Sequence, residues 1–248
     1  LSIQTTPLVP NDPGMVLAVV AAAFAALTYY DSGKLGWIAA AGTLAGVAAA
    51  IKYSAVFALV PVMIAACSPI NARGRIRACA VAVLACGLAV AVSNHFVWAD
   101  FPNLLRQLAN QYSFTGQGHR WSTDNPAAVY VATLAWAGPG WALVFLAVGF
   151  AAYALSTGNP RLLIFISFPL VYIWFMTQRP LQVPRWPYPL VPFVAVGGAA
   201  ALVAGLQAVQ ARMVMRPASW SRGLQAAFAM AVVAVVSQPV WAGTVSFS

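Results

Sequence analysis

Apolar residues fill most of the chain in long runs, and short polar segments separate them. Eight runs are candidate membrane spans: 14–30, 35–51, 53–67, 78–98, 140–156, 162–176, 188–208 and 224–242. A helix needs about 20 mainly apolar residues to cross the hydrocarbon core of a bilayer, so the shorter runs need help from flanking Trp, Tyr or Pro residues. We therefore predict an all-α protein, a polytopic transmembrane helical bundle forming one domain over residues 1–248.

The composition supports a membrane protein. Hydrophobic residues make up 62% of the chain and charged residues 7%, whereas soluble domains have about 25% charged residues. The 13 Lys and Arg residues outnumber the four acidic residues, but they lie in short loops between apolar runs. This placement indicates orientation in a lipid bilayer and argues against a nucleic-acid partner. The cysteines Cys67, Cys79 and Cys86 lie in or beside apolar runs and are predicted to be packing residues.

Two arginine-rich loops predict the orientation. Loop 68–77 carries Arg73, Arg75 and Arg77, and loop 209–223 carries Arg212, Arg216 and Arg222. Cytoplasmic loops of membrane proteins are enriched in Lys and Arg, so both loops should be cytoplasmic. Counting single crossings from the first loop puts 99–125 and 177–187 outside and returns 209–223 to the inside. The count of crossings and the arginine content of the two loops therefore predict the same orientation.

Lys52 interrupts the apolar stretch 35–67. In one continuous helix it would lie at mid-membrane, at a cost of about 3 kcal/mol on insertion scales. If two short helices meet at Lys52, the side chain lies on the outer side or in a water-filled cavity, and we prefer this arrangement. It makes loop 31–34 cytoplasmic and places 1–13 outside. A lysine there offers a positive charge for a phosphate; the alternative is that it snorkels to the interface without a ligand.

Other candidate site residues fall on the same predicted outer face. Arg185 lies in the proline-rich segment 178–189, which either positions its guanidinium for a phosphate or makes it an interfacial anchor. Asp12 precedes a span as an N-cap or as a metal or substrate ligand. His119 and Arg120 lie in the long outer loop, where they contact a ligand or are simply solvated.

The outer segment 99–139 is predicted to contain two short interfacial helices. Apolar residues recur at helical spacing in its first part, at Phe101, Leu104, Leu105, Leu108 and Tyr112, with polar residues between them. This amphipathic pattern suits a helix that lies in the membrane interface. Asn125-Pro126 then has the pattern of an N-cap followed by Pro at the first helical position, and Gly138-Pro139-Gly140 ends the second helix. Together the segment would form a lid.

Several motifs in this order resemble the membrane glycosyltransferases of the GT-C type, the family that includes protein O-mannosyltransferases and lipid A aminoarabinose transferase. Residues 42–55, Gly-Thr-Leu-Ala-Gly-Val-Ala-Ala-Ala-Ile-Lys-Tyr-Ser-Ala, resemble the family's GLAxxxKYxA stretch. Residues 94–101 resemble its span-to-loop junction, and Gly118-His119 with 130–138 resemble the following loop and short helix. Residues 185–193, Arg-Trp-Pro-Tyr-Pro-Leu-Val-Pro-Phe, resemble its RYLLPxxPF entry to a late span.

The resemblance implies transfer of a sugar from a polyprenyl-phosphate carrier to a lipid, glycan or protein acceptor. The reaction would take place on the extracytoplasmic face of a multi-pass protein in a bacterial plasma membrane, as part of cell-envelope chemistry. Lys52 and Arg185 would hold the carrier phosphate, and Asp12 would match a second acidic position near the sugar or a divalent metal. His119 would line the lid, with Arg120 beside it. No resident metal-ligand set is predicted.

The chain departs from the family at the catalytic acid, which lies upstream of the position that Asp12 matches. No Asp-Glu pair occurs here, so we expect a C-terminal portion that lacks the general base and is inactive by itself. Two alternatives remain. A multi-pass transporter would use Lys52 as a mid-membrane substrate or ion site, and a non-catalytic membrane subunit would have lost the active residues.

Overall fold

The computed structural model describes residues 12–68, 71–94, 99–116, 125–136, 138–178 and 186–213. All regular secondary structure in these ranges is helical, which confirms the all-α prediction there. The α-helices are α1 (Asp12–Ser32), α2 (Leu35–Ile51), α3 (Leu59–Ala66), α4 (Ala72–Ser93), α5 (Phe101–Gly116), α6 (Pro126–Trp136), α7 (Trp141–Thr157), α8 (Pro160–Thr177) and α9 (Val191–Met213). Short 3₁₀ helices cover Tyr53–Ala58 and Tyr188–Leu190. The predicted span 224–242 lies outside the described residues.

Four helical segments in the described part of the chain are long and apolar enough to cross a membrane. They are Pro13–Ser32, Ala72–Ser93, Pro160–Thr177 and Tyr188–Ala208. The helices group into two compact units. The first contains α1 to α5 and α8, and the second contains α6, α7 and α9.

In the first unit, α2 packs closely against α4 through small residues. Gly42 and Gly46 lie one turn apart on α2, and a Cβ atom at either position would meet the backbone carbonyl of Ala82 or Cys86 on α4. Both of these α4 residues are buried. Because only glycine allows the two backbones to approach this closely, the contact depends on these two positions. Small residues four apart are typical of helix pairs in membranes.

The opposite face of α4 carries large apolar side chains. Ile76, Leu84, Leu88 and Val92 are each between 66% and 71% exposed. A helix of a soluble protein buries its large apolar residues and exposes its polar ones, and an exposed apolar surface of this kind is unusual in water. With small residues inside and large apolar residues outside, α4 has the pattern of a helix that faces lipid.

The start of α4 differs from the sequence prediction. The apolar run begins at residue 78, but the helix begins at Ala72 and includes the three arginines of the predicted loop. Asn71 caps it, because its Oδ1 atom accepts a hydrogen bond of 2.6 Å from the backbone N–H of Gly74. Arginine is a good helix former, so the helix continues beyond the apolar run that hydropathy detects.

The second unit shows the predicted break between its first two helices. The Asn125 Oδ1 atom accepts a hydrogen bond of 3.1 Å from the N–H of Ala128 and caps α6, as the Asn-Pro pattern predicted. Between α6 and α7, Gly140 adopts a φ of 94°, a conformation that favours glycine. The rings of Trp136 and Trp141 lie edge to face across this break, with centroids 6.1 Å apart. The sequence therefore located this helix boundary correctly.

Candidate functional site

The stretch 35–66 is divided at Lys52. Helix α2 ends at Ile51, and Lys52 adopts an extended conformation with φ −153° and ψ 120°. Its N–H donates to the carbonyl of Ala48 at 3.0 Å, and its own carbonyl accepts from the N–H of Ala55 at 2.8 Å. The 3₁₀ helix then starts at Tyr53. The preferred prediction, two short helical segments meeting at Lys52, is confirmed.

The two segments form a hairpin with Lys52 at its tip. At one end, the side-chain amide of Asn94, which follows α4, donates to the carbonyl of Ala50 at 3.4 Å. At the other end, the Sγ atoms of Cys67 and Cys79 are 3.8 Å apart, beyond the end of α3 and near the start of α4. The chain therefore runs along α4 in α2 and returns through the 3₁₀ helix and α3. Each arm is about 25 Å long at standard helical rise.

Two further contacts place the neighbouring helix ends at the level of Lys52. A Cβ atom at Gly14, near the start of α1, would lie 3.8 Å from Cδ1 of Ile51. The rings of Phe57 and Phe175 have centroids 4.8 Å apart, which brings the last turn of α8 to the 3₁₀ helix that follows Lys52. We call the surface formed by the start of α1, Lys52, Asn94 and Gln178 the Lys52 end of the first unit.

The opposite surface, the Asp31 end, carries five of the seven basic residues that the structure describes in the first unit. The Nη2 atom of Arg161 lies 2.8 Å from Oδ1 of Asp31, and its guanidinium carbon lies 6.0 Å from the Tyr30 ring centroid. This end also holds Ser32 to Leu35, Cys67 and Ser68, Asn71 and Ala72, and Gly158 to Pro160. Its basic residues are Lys34, Arg73, Arg75, Arg77 and Arg161. The described parts of loops 31–34 and 68–77, both predicted to be cytoplasmic, thus lie at the same end of the first unit.

The structure describes only some of the predicted site residues. Lys52 is half-buried at the hairpin tip. The backbone of Asp12 begins α1 at the Lys52 end, but its side chain lies outside the description. His119, Arg120 and Arg185 also lie outside the described residues and stay predictions. The segment that carries Arg185 leaves α8 at Gln178, which belongs to the Lys52 end.

Ser54 was missed in the sequence. It lies two residues after Lys52 and is 3% exposed, and its hydroxyl oxygen has no hydrogen-bond partner within the described part of the chain. Buried hydroxyl groups are normally hydrogen-bonded, so the Ser54 hydroxyl beside the break at Lys52 is free to bond a further polar group. The spacing Lys52-Tyr53-Ser54 was visible in the sequence, but periodicity gave no reason to expect burial at a helix break.

Helix α5 carries the predicted amphipathic pattern. Asp100 caps it, with Oδ1 accepting from the N–H of Asn103 at 3.2 Å. One face is apolar and exposed, and consists of Phe101, Leu105, Leu108 and Tyr112. Asn110 falls on the opposite face at 100° per residue. The apolar face has the geometry of a helix that lies in a membrane interface.

The described residues contain no group of three or more His, Cys, Asp or Glu side chains that could hold a metal ion. A metal at Asp12 would therefore need ligands from other parts of the chain or from a substrate. Comparisons with family models, curated proteins and solved structures found no match for this chain.

Proposed function

We propose that the chain is a polytopic membrane protein whose Lys52 end faces the extracytoplasmic side. Three observations on the described residues support this proposal: four helices have the length and apolarity of spans, α4 exposes large apolar side chains and buries small ones, and five of the seven described basic residues of the first unit lie at the Asp31 end. The positive-inside rule assigns that basic end to the cytoplasm. Each of α1, α2, α4 and α8 has one end at the Lys52 end of the unit and the other at the Asp31 end. Assigning the Asp31 end to the cytoplasm therefore orients all four helices.

At the Lys52 end, the protein acts as a membrane glycosyltransferase that takes a sugar from a polyprenyl-phosphate carrier. The observation that carries this proposal is the position of Lys52, a cation at a helix break beside the start of α1 and the exit of α8. The carrier phosphate would lie at the membrane surface, with its polyprenyl chain in the bilayer. Arg185, from the sequence resemblance, is the second cation expected to bind it.

The chemistry gives Lys52 a defined task. When the sugar is transferred, the carrier phosphate leaves with developing negative charge. A fixed ammonium group in a site of low dielectric stabilises that charge without reorganising water. The alternative role of Lys52 is to complement the negative C-terminal end of the α2 helix dipole, worth about 0.3–1 kcal/mol. This second role needs no ligand, so a binding experiment separates the two.

The transporter alternative is less well supported. It requires Lys52 to act as a substrate or ion site near the middle of the membrane. Lys52 instead lies at the end of α2, close to Asn94 at the end of α4, whose side-chain amide donates to the carbonyl of Ala50. A cation at this level suits a ligand whose headgroup stays at the surface. The position of Lys52 therefore favours an enzyme acting on an amphiphilic donor over a transporter.

The test is photolabelling in lipid nanodiscs with a diazirine-bearing polyprenyl phosphate. Lys52→Ala should reduce labelling by about tenfold or more, since a charge-assisted hydrogen bond contributes about 1.5–3 kcal/mol. Lys34→Ala is the matched control, because Lys34 is exposed at the Asp31 end, and it should label like the unmodified chain. Arg185→Ala should also label weakly.

Competition defines the ligand further. A sugar-charged polyprenyl phosphate should compete with the probe, whereas the uncharged polyprenol should not, because it lacks the phosphate that Lys52 binds. Equal labelling of the Lys52→Ala and Lys34→Ala variants would contradict the proposed phosphate site. Equal competition by polyprenol would show that the chain binds only the hydrocarbon.

A further inference from the structure

Two of the three cysteines are brought together at the Asp31 end, away from the proposed substrate site. Cys67 directly follows α3 and is exposed, and Cys79 is half-buried in the second turn of α4. Their Sγ atoms are 3.8 Å apart, although 12 positions separate them in the sequence. Cys86, two turns further along α4, is buried. The three thiols therefore differ in their exposure to solvent, although the sequence predicted the same packing role for all of them.

We propose that Cys67 and Cys79 form a redox-active dithiol, which a low-molecular-weight disulfide converts reversibly to an intramolecular disulfide. The sulfur atoms are already in van der Waals contact, and a disulfide bond of about 2.05 Å requires them to approach by less than 2 Å. Cys67 lies at a helix end with φ −81° and ψ −5°, where side-chain rotation and a small backbone movement can supply this approach.

Cys67 is more exposed than Cys79, so it reacts first with the small disulfide. The Cys67 thiolate attacks one sulfur of the small disulfide, forming a mixed disulfide and releasing one small thiolate. The Cys79 thiolate then attacks Sγ of Cys67 and displaces the second small thiolate. Two protein thiols are oxidised, the small disulfide is reduced to two thiols, and the protons lost by the cysteines pass to the leaving thiolates.

The bond would link α3 to α4 beside the arginines. The closed ring, residues 67–79, contains Arg73, Arg75 and Arg77. A crosslink restricts the unfolded chain and stabilises the folded one, so oxidation would fix the position of this basic segment relative to α3. The modification is independent of the proposed sugar transfer, which takes place at the Lys52 end.

The test exposes the purified full chain in nanodiscs to a series of glutathione disulfide to glutathione ratios. Free thiols are then blocked with N-ethylmaleimide and the peptides are identified by mass spectrometry. The unmodified chain should show a Cys67–Cys79 crosslink and an alkylated Cys86. Cys79→Ser should stop at one glutathione on Cys67. Because the second step is intramolecular, the crosslink should form at an oxidant ratio about tenfold lower than this adduct.

Cys86→Ala is the control and should form the Cys67–Cys79 crosslink at the same ratio as the unmodified chain. A stable glutathione adduct on Cys67 of the unmodified chain would overturn the proposal, since Cys79 would then be unable to resolve it. A crosslink through Cys86, or thiols that all stay reduced at the most oxidising ratio, would overturn it equally.

Discussion

The carboxylate of Asp31 accepts a hydrogen bond from the guanidinium of Arg161 over 2.8 Å, and this ion pair joins the last turn of α1 to the first turn of α8. The contact shows that two chain segments far apart in sequence lie at the same end of the first unit. The bond from Asn94 to the carbonyl of Ala50 does the same for the other end. Together they establish the alternation of helix ends on which the proposed orientation depends.

The Asp31–Arg161 ion pair should contribute little to stability. The side chains are 49% and 61% exposed, so water screens their attraction. A double-mutant cycle with Asp31→Asn and Arg161→Gln should give a coupling free energy below about 1 kcal/mol, measured by chemical unfolding in detergent. A coupling of several kcal/mol would mean that the pair is desolvated in the folded protein.

The α2–α4 contact should be sensitive to a single methyl group. Gly46→Ala places a Cβ against the Cys86 carbonyl and 2.8 Å from Cβ of Ala89, so the helices must separate. We expect a loss of about 1–3 kcal/mol, as for overpacked cores, measured as the free energy of unfolding in detergent. Gly42→Ala, facing Ala82, should behave similarly.

Glycines on the same two helices provide the matched controls. A Cβ atom at Gly36 on α2 or at Gly87 on α4 would meet no atom within 4 Å. Replacing either with alanine should leave stability unchanged or raise it by up to about 1 kcal/mol, because alanine favours helix. If all four variants behaved alike, the close approach of α2 and α4 would be refuted.

Helix α5 should lie with its apolar face in the lipid interface. With the native cysteines replaced by alanine, an environment-sensitive fluorophore is attached to Leu105→Cys or, as the control, to Asn110→Cys. These positions lie on opposite faces of the helix. In nanodiscs the emission from position 105 should shift to shorter wavelength than that from position 110. Equal emission from both positions would exclude the interfacial orientation.

The sequence predicted the helices better than their exact ends. Apolar runs located α1, α2 and α8 closely because burial in lipid or protein requires continuous apolar residues. The start of α4 was placed too late, because hydropathy ends a run at a charge whereas the helix continues through Arg73 to its Asn71 cap. The break at Lys52 was correctly predicted because a mid-membrane lysine is costly.

The candidate site was only partly predictable. The sequence selected Lys52 and Asp12, and the structure brings the backbone of Asp12 and the Lys52 tip to one end of the unit. The sequence did not indicate Ser54 as a site residue, because its burial in the 3₁₀ helix depends on the packing of α1 and α8 around it. Nor did it predict the Cys67–Cys79 pair, because the contact exists only when α3 folds back beside α4.

The orientation of the protein in the membrane is tested by comparing the accessibility of position 52 with that of position 34. In a cysteine-free chain expressed in intact cells, Lys52→Cys and Lys34→Cys are treated with a membrane-impermeant maleimide before and after permeabilisation. We expect labelling of Lys52→Cys from outside intact cells, and labelling of Lys34→Cys only once the membrane is opened. The reverse pattern, or equal labelling of both in intact cells, would contradict the proposed orientation and the carrier site that depends on it.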